Sequence, residues 1–210
     1  MPLNNRIVLS DDLQILIWHI EESMEEISQN LTLTPEDKNR LQKRKKSNHQ
    51  KGFLATRKLF LAADIDPSNL RYNAMGAPVL KSGKKLSISH SKTVAGIAYG
   101  TKPLGFDLEC YQEKIINIAN RFLHPEEDFA RNGDTAIRKL TLLWTAKEAL
   151  YKAIQQPGII FSQQLLIAPF EWGAENGTAK VFIQDKTLDF SLKFIVGKSY
   201  CGTLAVQNNL

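Results

Sequence analysis

The stretch Trp144-Thr145-Ala146-Lys147-Glu148-Ala149-Leu150-Tyr151-Lys152 lies within a segment predicted to be helical over Ala136–Ile154. At about 100° per residue, one narrow sector of this helix collects the apolar side chains Leu140, Leu143, Leu150 and Ile154. Lys147 falls in the same sector, so its amine must either extend to water or meet an anion. A surface ion pair four residues apart accounts for Glu148 and Lys152 but leaves Lys147 unexplained. The pattern predicts a core-packed helix that carries a functional site.

A second motif, Gly105-Phe106-Asp107-Leu108-Glu109, is predicted to lie on a strand. Alternate side chains of a strand share a face, so Asp107 and Glu109 point the same way while Phe106 and Leu108 point into the core. Neighbouring carboxylates repel each other unless a positive group lies between them, and a hard divalent cation is the usual occupant. Taken alone, the motif is equally compatible with an edge strand whose polar face meets water.

A third stretch, Leu86-Ser87-Ile88-Ser89-His90-Ser91, is typical of a strand that ends in hydroxyls and an imidazole. Small hydroxyl residues beside turn-forming backbone amides make a concavity that binds anions, and a histidine can add a donor. An ordinary packed or surface histidine is the alternative.

Composition excludes several classes of protein. The chain has 210 residues, of which 43% are hydrophobic and 23% charged, which is unlike a disordered chain. No apolar run is long enough to span a bilayer, and the first twenty residues lack the order of a secretion signal. Two cysteines, Cys110 and Cys201, make no disulfide framework and suit a reducing compartment. We therefore expect a cytoplasmic protein.

The charge is unevenly distributed. The formal net charge is +5, yet residues 38–63 hold nine basic and no acidic side chains, so the rest of the chain is slightly acidic. This basic segment could meet nucleic acid, an anionic membrane, an acidic protein or a phosphorylated small molecule, or it could be a solvated helix face.

The order of predicted elements suggests a duplication. Each half of the chain runs strand, helix, strands, and the halves join near residues 101–103. Thr34 followed by Pro35 predicts a helix start, and Asn176-Gly177 and Gly197-Lys198 predict turns. The fold class predicted from this pattern is α+β, with two similar α/β halves.

In order and spacing, the three motifs resemble those of the 4′-phosphopantetheinyl transferases of the surfactin-synthetase-activating type. That family carries a Ser-His-Ser stretch, then G-x-D-x-E, then W-x-x-K-E-x-x-x-K. These correspond here to residues 89–91, 105–109 and 144–152. Looser similarity extends to residues 53–57 and 121–127.

The resemblance implies a fold and an activity. The two halves, 1–102 and 103–210, would pack side by side with the active site at their interface. The enzyme would transfer 4′-phosphopantetheine from coenzyme A to a serine of an acyl, peptidyl or polyketide carrier protein. It would depend on Mg²⁺ and release adenosine 3′,5′-bisphosphate. A duplicated chain can build such a site as a monomer, with neither nucleic acid nor a membrane as partner.

The resemblance also implies roles for individual residues. Asp107, Glu109 and Glu148 would hold Mg²⁺, and Lys152 would steady or protonate the leaving phosphate. Glu148, or Glu127 by the looser match, would be the base for the carrier serine. Contacts to the phosphates of coenzyme A would come from Lys51, Arg57, Ser89, His90, Lys147 and Lys152, with Lys38 and Arg40 as helpers. The family's lysine in G-K-P is replaced here by Ala77.

Two rival functions remain open from the sequence. A family member without activity could serve as a module that binds carrier proteins, as the missing lysine at Ala77 suggests. A nucleic-acid binder could use the basic segment, but that segment lacks interleaved aromatic residues and any nucleic-acid motif.

Overall fold

The computed structural model of the protein describes residues 5–208. The chain divides into two compact units, Met1–Thr101 and Lys102–Leu210, and the boundary lies one residue before the one expected from the sequence. Each unit combines one β-sheet with several helices, so the mixed α/β character expected for both halves is confirmed.

The first unit is built on a six-stranded antiparallel sheet in the order β1-β2-β6-β5-β4-β3. Its strands are β1 (Asn5–Ser10), β2 (Leu13–His19), β3 (Leu70–Tyr72), β4 (Pro78–Leu80), β5 (Lys85–His90) and β6 (Val94–Gly100). Three helices precede β3: α1 (Met24–Ser28), α2 (Pro35–Gln42) and α3 (Ser47–Ala62). The hydroxyl of Thr34 accepts a hydrogen bond from the Asp37 amide, which confirms the predicted start of α2.

Helix α3 contributes apolar side chains to the first unit's core. Phe53, Leu54, Leu59 and Phe60 are buried against strands β2 and β6, where Leu16 and Ile97 face them. Three basic residues of the segment 38–63, Lys51, Arg57 and Lys58, are interleaved with core residues on α3, so this part of the segment is more than a solvated helix face.

The second unit is built on a five-stranded antiparallel sheet in the order β7-β11-β10-β9-β8. Its strands are β7 (Leu104–Cys110), β8 (Leu165–Ile167), β9 (Asn176–Ile183), β10 (Lys186–Val196) and β11 (Tyr200–Gln207). Between β7 and β8 lie α4 (Lys114–Phe122), a 3₁₀ segment (Pro125–Ala130), α5 (Ala136–Ile154) and α6 (Phe161–Gln164).

The two units share one topology. In each unit a strand leads into helices, the helices into an antiparallel meander, and the last meander strand pairs with the first strand. The closing pairs are β2 with β6 and β7 with β11. Strand β1 is an addition at one edge of the first sheet. The predicted duplication is therefore visible in the strand order of each unit.

The sequence prediction of the two turns is half correct. Gly197-Lys198 joins β10 to β11 as expected. Asn176-Gly177 begins β9 instead of forming a turn, because both residues pair with β10, at Lys193 and Leu192. The hairpin between β9 and β10 turns at Gln184, whose φ is 51°. Within residues 5–208, no helix is both long and apolar enough to cross a membrane.

Candidate active site

The glycine of the G-x-D-x-E motif sets the distance between β7 and α5. A Cβ built on Gly105 would lie 1.9 Å from the carbonyl oxygen of Ala149 and 2.6 Å from the amide nitrogen of Ala153. Only a residue without a side chain allows this approach of strand and helix backbones. The contact brings Glu148 and Lys152 of α5 next to the face of β7 that carries Asp107 and Glu109.

The carboxylate face of β7 is therefore the one covered by α5. The side chain of Asp107 is buried although β7 is an edge strand of its sheet, so the polar face does not lie open to water. Phe106 and Leu108, on the opposite face, are buried as well. The ammonium of Lys152 donates to Asp107 Oδ1 at 2.7 Å and to the Phe106 carbonyl at 3.1 Å. The ion pair of Lys152 with Asp107 thus joins α5 to β7.

Glu109 lies near the end of the same strand and is half-buried. Its Oε1 accepts hydrogen bonds from the Cys110 amide at 3.1 Å and from Gln112 Nε2 at 3.3 Å. The third carboxylate, Glu148, is close enough to both others to feel their charge. The pKa of Glu148 is raised to about 7, mainly by burial and also by the charges of Asp107 and Glu109, while Lys152 opposes the shift.

The carboxylates of Asp107, Glu109 and Glu148 are suitable ligands for a hard cation. Asp107 and Glu109 raise the pKa of Glu148, and such a crowded set of carboxylate oxygens supplies the ligands and the negative charge that Mg²⁺ prefers. Across residues 5–208, no three His, Cys, Asp or Glu side chains already converge as a metal site. Asp107 is paired with Lys152, and one oxygen of Glu109 accepts from residues 110 and 112. The metal-ligand assignment stays a prediction.

Of the two outcomes open to Lys147, extension to water or contact with an anion, the structure shows the second. The anion is the carboxylate of Glu127. The ammonium and the carboxylate are 2.7 Å apart, and neither side chain is exposed. Burial lowers the pKa of Lys147, and Glu127 opposes that shift. These contacts favour a structural role for both residues over the phosphate contact and the base inferred from the resemblance.

The residues predicted to contact coenzyme A in the first unit lie around the first turns of α3. His90, at the end of β5, packs on Gly52, where a Cβ would lie 2.8 Å from the imidazole Cγ and Nδ1. The His49 ring lies 6.3 Å from the His90 ring between centroids. Ser89 is buried in β5, and the ammonium of Lys51 donates to the carbonyl of Glu22 at 2.6 Å. Helix α3 thus gathers two histidines beside one lysine.

Arg57 is placed differently from the prediction. Its guanidinium is buried, pairs with the buried carboxylate of Asp37 and stacks on Phe53 with its Cζ 3.8 Å from the ring centroid. The pair connects α3 to the first turn of α2. This contact favours a role in the core of the unit over a contact to coenzyme A.

The sequence reasoning missed the partners that position these side chains. Neither Asp37 nor Gly52 was assigned a functional role from the sequence. Thr145 and Thr203, whose hydroxyls are 2.9 Å apart and buried between α5 and β11, were missed too. A glycine or a small polar residue within an apolar run could have indicated a close contact. It could not have identified the partner, because the partner is distant in the chain.

Comparison with known proteins relates the second unit to a protein family. Residues 103–205 match the model of the 4′-phosphopantetheinyl transferase superfamily. The second unit therefore matches that superfamily, which confirms the resemblance seen in the sequence.

One relative extends the match. Over 109 residues the chain is 32% identical to the 4′-phosphopantetheinyl transferase gsp of Aneurinibacillus migulanus, an alignment that covers 49% of this chain and 46% of the relative. The chain thus matches about half the length of that curated relative.

Proposed function

We propose that this protein transfers 4′-phosphopantetheine from coenzyme A to the serine hydroxyl of a carrier protein and releases adenosine 3′,5′-bisphosphate. One observation carries the proposal. Asp107 and Glu109 lie close enough to Glu148 to raise its pKa, and Lys152 pairs with Asp107 beside them, in a unit that matches the superfamily.

The three carboxylates are the residues that would hold Mg²⁺. When bound, the ion would offset the negative charge of the diphosphate during displacement at phosphorus. Burial of Asp107 and half-burial of Glu148 keep these charges in a medium of low polarity, where their attraction for a cation is stronger than in water.

Lys152 is the residue proposed to act on the leaving group. Its ammonium is held on β7 by Asp107 and by the Phe106 carbonyl, within the group of carboxylates proposed to bind the metal. A proton or a hydrogen bond delivered to a phosphate oxygen stabilises the charge that develops as the phosphorus–oxygen bond breaks.

Glu148 is the residue proposed to take the proton of the carrier serine. Its pKa of about 7 suits a general base that works near neutral pH. Glu127 is less suited to this role, because its carboxylate is enclosed and occupied by Lys147.

Ser89, His90 and Lys51 are proposed to bind the phosphates of the donor. His90 is held at the end of β5 against Gly52, and Lys51 is the residue before this glycine on α3. An acidic carrier surface that meets the basic segment is also part of the proposal.

Mass spectrometry of an apo carrier protein tests the reaction. Incubation with coenzyme A and Mg²⁺ should add the mass of phosphopantetheine to the carrier, and a chelator should prevent the addition. A panel of acyl, peptidyl and polyketide carriers is needed because the same serine chemistry serves all of them. If no carrier in the panel gains mass, the proposed function is wrong.

A further inference from the structure

The buried pair Glu127–Lys147 is more extensively hydrogen-bonded than an isolated salt bridge. Lys147 donates to Glu127 at 2.7 Å, to the Leu165 carbonyl at 2.7 Å and to the Phe161 carbonyl at 3.1 Å. Glu127 also accepts from the amides of Ile167 and His124, both at 2.8 Å. All three ammonium donors are used, and both carboxylate oxygens accept.

These partners include the free edge of β8. The Ala168 amide donates to Thr178 of β9, so the backbone groups of Leu165 and Ile167 point away from β9. Since β8 is the last strand of its sheet, those groups would otherwise lack a strand partner. Lys147 and Glu127 satisfy one carbonyl and one amide there, and so take the place of a neighbouring strand.

Helix α5 is consequently tied to both edges of the sheet. Ala149 packs on Gly105 of β7, at one edge, while Lys147 is bound to β8 at the other. Residues two positions apart on a helix differ by about 200° in their direction around its axis. The attachments at Lys147 and Ala149 therefore act on nearly opposite sides of α5. Glu148 lies between them, and its orientation toward Asp107 depends on the rotation of the helix.

We propose that the Glu127–Lys147 pair positions Glu148, by fastening α5 to the free edge of β8 and so fixing the helix rotation that turns this carboxylate toward Asp107. The inference rests on the proposed transferase function. Lys147 and Glu127 are positioning residues, since neither is exposed to a substrate.

The informative variant replaces both partners. Lys147→Met alone leaves a buried, uncompensated carboxylate and can prevent folding, whereas Lys147→Met with Glu127→Leu removes both charges and keeps the apolar volume. A role limited to stability predicts that this folded double variant regains full turnover. Positioning predicts that its kcat falls roughly tenfold or more, because a small misplacement of a reacting group is costly, while KM for coenzyme A stays nearly unchanged.

Two controls separate positioning from weakened folding. Val181→Ala removes buried volume from β9 in the same unit and should lower the melting temperature with little change in kcat. Lys193→Met with Glu175→Gln removes a more exposed ion pair of the same unit, 2.8 Å apart, and should change neither quantity.

Hydrogen exchange provides a readout that does not need the reaction. In the double variant, the amides of Ile167 and of residues 148–152 should exchange faster than in the unmodified protein. In Val181→Ala, the amides of residues 148–152 should exchange at the rate of the unmodified protein. If kcat or these exchange rates match the unmodified protein in the folded double variant, the inference is wrong. If the unmodified protein modifies no carrier while exchange changes as expected, the proposed function fails and the attachment of α5 stands.

Discussion

Gly105 and Ala149 lie so close that a Cβ on the glycine would be 1.9 Å from the alanine carbonyl oxygen. The approach of these two backbones explains why the strand motif and the helix motif function as one unit. It sets Asp107 on β7 within 2.7 Å of Lys152, one helical turn beyond Glu148. The glycine of G-x-D-x-E is therefore a packing residue that determines the geometry of the carboxylates.

Gly105→Ala should destabilise the protein and disable the site together. The new methyl group meets backbone atoms of α5, which can give way only if the helix shifts, at a cost of about 3 kcal/mol or more. Urea unfolding would measure the loss. Gly133→Ala is a suitable control, because its φ of 84° strains an alanine but no atom lies within 4 Å of the added carbon. It should cost roughly 1–2 kcal/mol. Equal losses in the two variants would contradict the packing role of Gly105.

Asp107→Ala should abolish transfer and leave the fold intact. The change removes one of three carboxylates and the partner of Lys152, but an edge strand tolerates alanine at this position. Turnover is measured by mass gain of the carrier, and folding by circular dichroism. Asp189→Ala on β10 is a control outside the site, with expected turnover near that of the unmodified protein. Near-normal turnover in Asp107→Ala would remove the assignment of this residue as a metal ligand.

Lys152→Ala should lower kcat more than it lowers the affinity for coenzyme A. The ammonium is held on Asp107 and the Phe106 carbonyl, so it is positioned to act on developing charge instead of contributing uniformly to binding. Steady-state kinetics at saturating carrier would separate the two effects, with Lys193→Ala as the control. A change confined to KM would contradict a leaving-group role.

The stability of the protein should fall with rising pH because of Glu148. Its pKa is raised from an ordinary 4.5 to about 7, so between these values the folded protein keeps a proton that the unfolded chain has lost. The stabilisation is complete below the lower value and is lost as pH rises through the upper one, by up to about 3 kcal/mol. Urea unfolding in a chelator should show this loss in the unmodified protein.

The matched variant for this pH dependence is Glu148→Gln, which cannot titrate. Its free energy of unfolding should lack this component of the fall over the same pH range. Added Mg²⁺ should weaken the pH dependence of the unmodified protein, because a bound cation favours the ionised carboxylate. Parallel pH profiles for the two proteins in chelator would contradict the raised pKa.

Asp37→Asn should destabilise the first unit with little effect on donor binding. Breaking a buried ion pair by removing one charge costs about 3–5 kcal/mol, and Arg57 would be left uncompensated in the core. The exposed pair Arg40–Glu36, 4.0 Å apart, is the comparison; Glu36→Gln should cost less than about 1 kcal/mol. If Asp37→Asn kept its stability and raised KM for coenzyme A severalfold, the predicted phosphate contact of Arg57 would be favoured over the structural role.

The sequence by itself determined the local elements and the order of the motifs. Apolar periodicity placed α5, alternation placed β7, and the spacing of Glu148 and Lys152 put them one turn apart on the helix. The apolar stripe also limited Lys147 to two outcomes, an amine that extends to water or one that meets an anion. These results depend only on neighbouring residues, whose geometry is set by the period of a helix or strand.

Only the tertiary structure decided which distant residue each buried charge meets. Lys147 pairs with Glu127 and binds the edge of β8, and Arg57 pairs with Asp37. For both basic residues the resemblance had suggested contacts to phosphates. A buried charge is stable only with a partner, and long-range packing selects that partner through contacts that no local pattern encodes. The same packing turned the carboxylate face of β7 toward α5 instead of water.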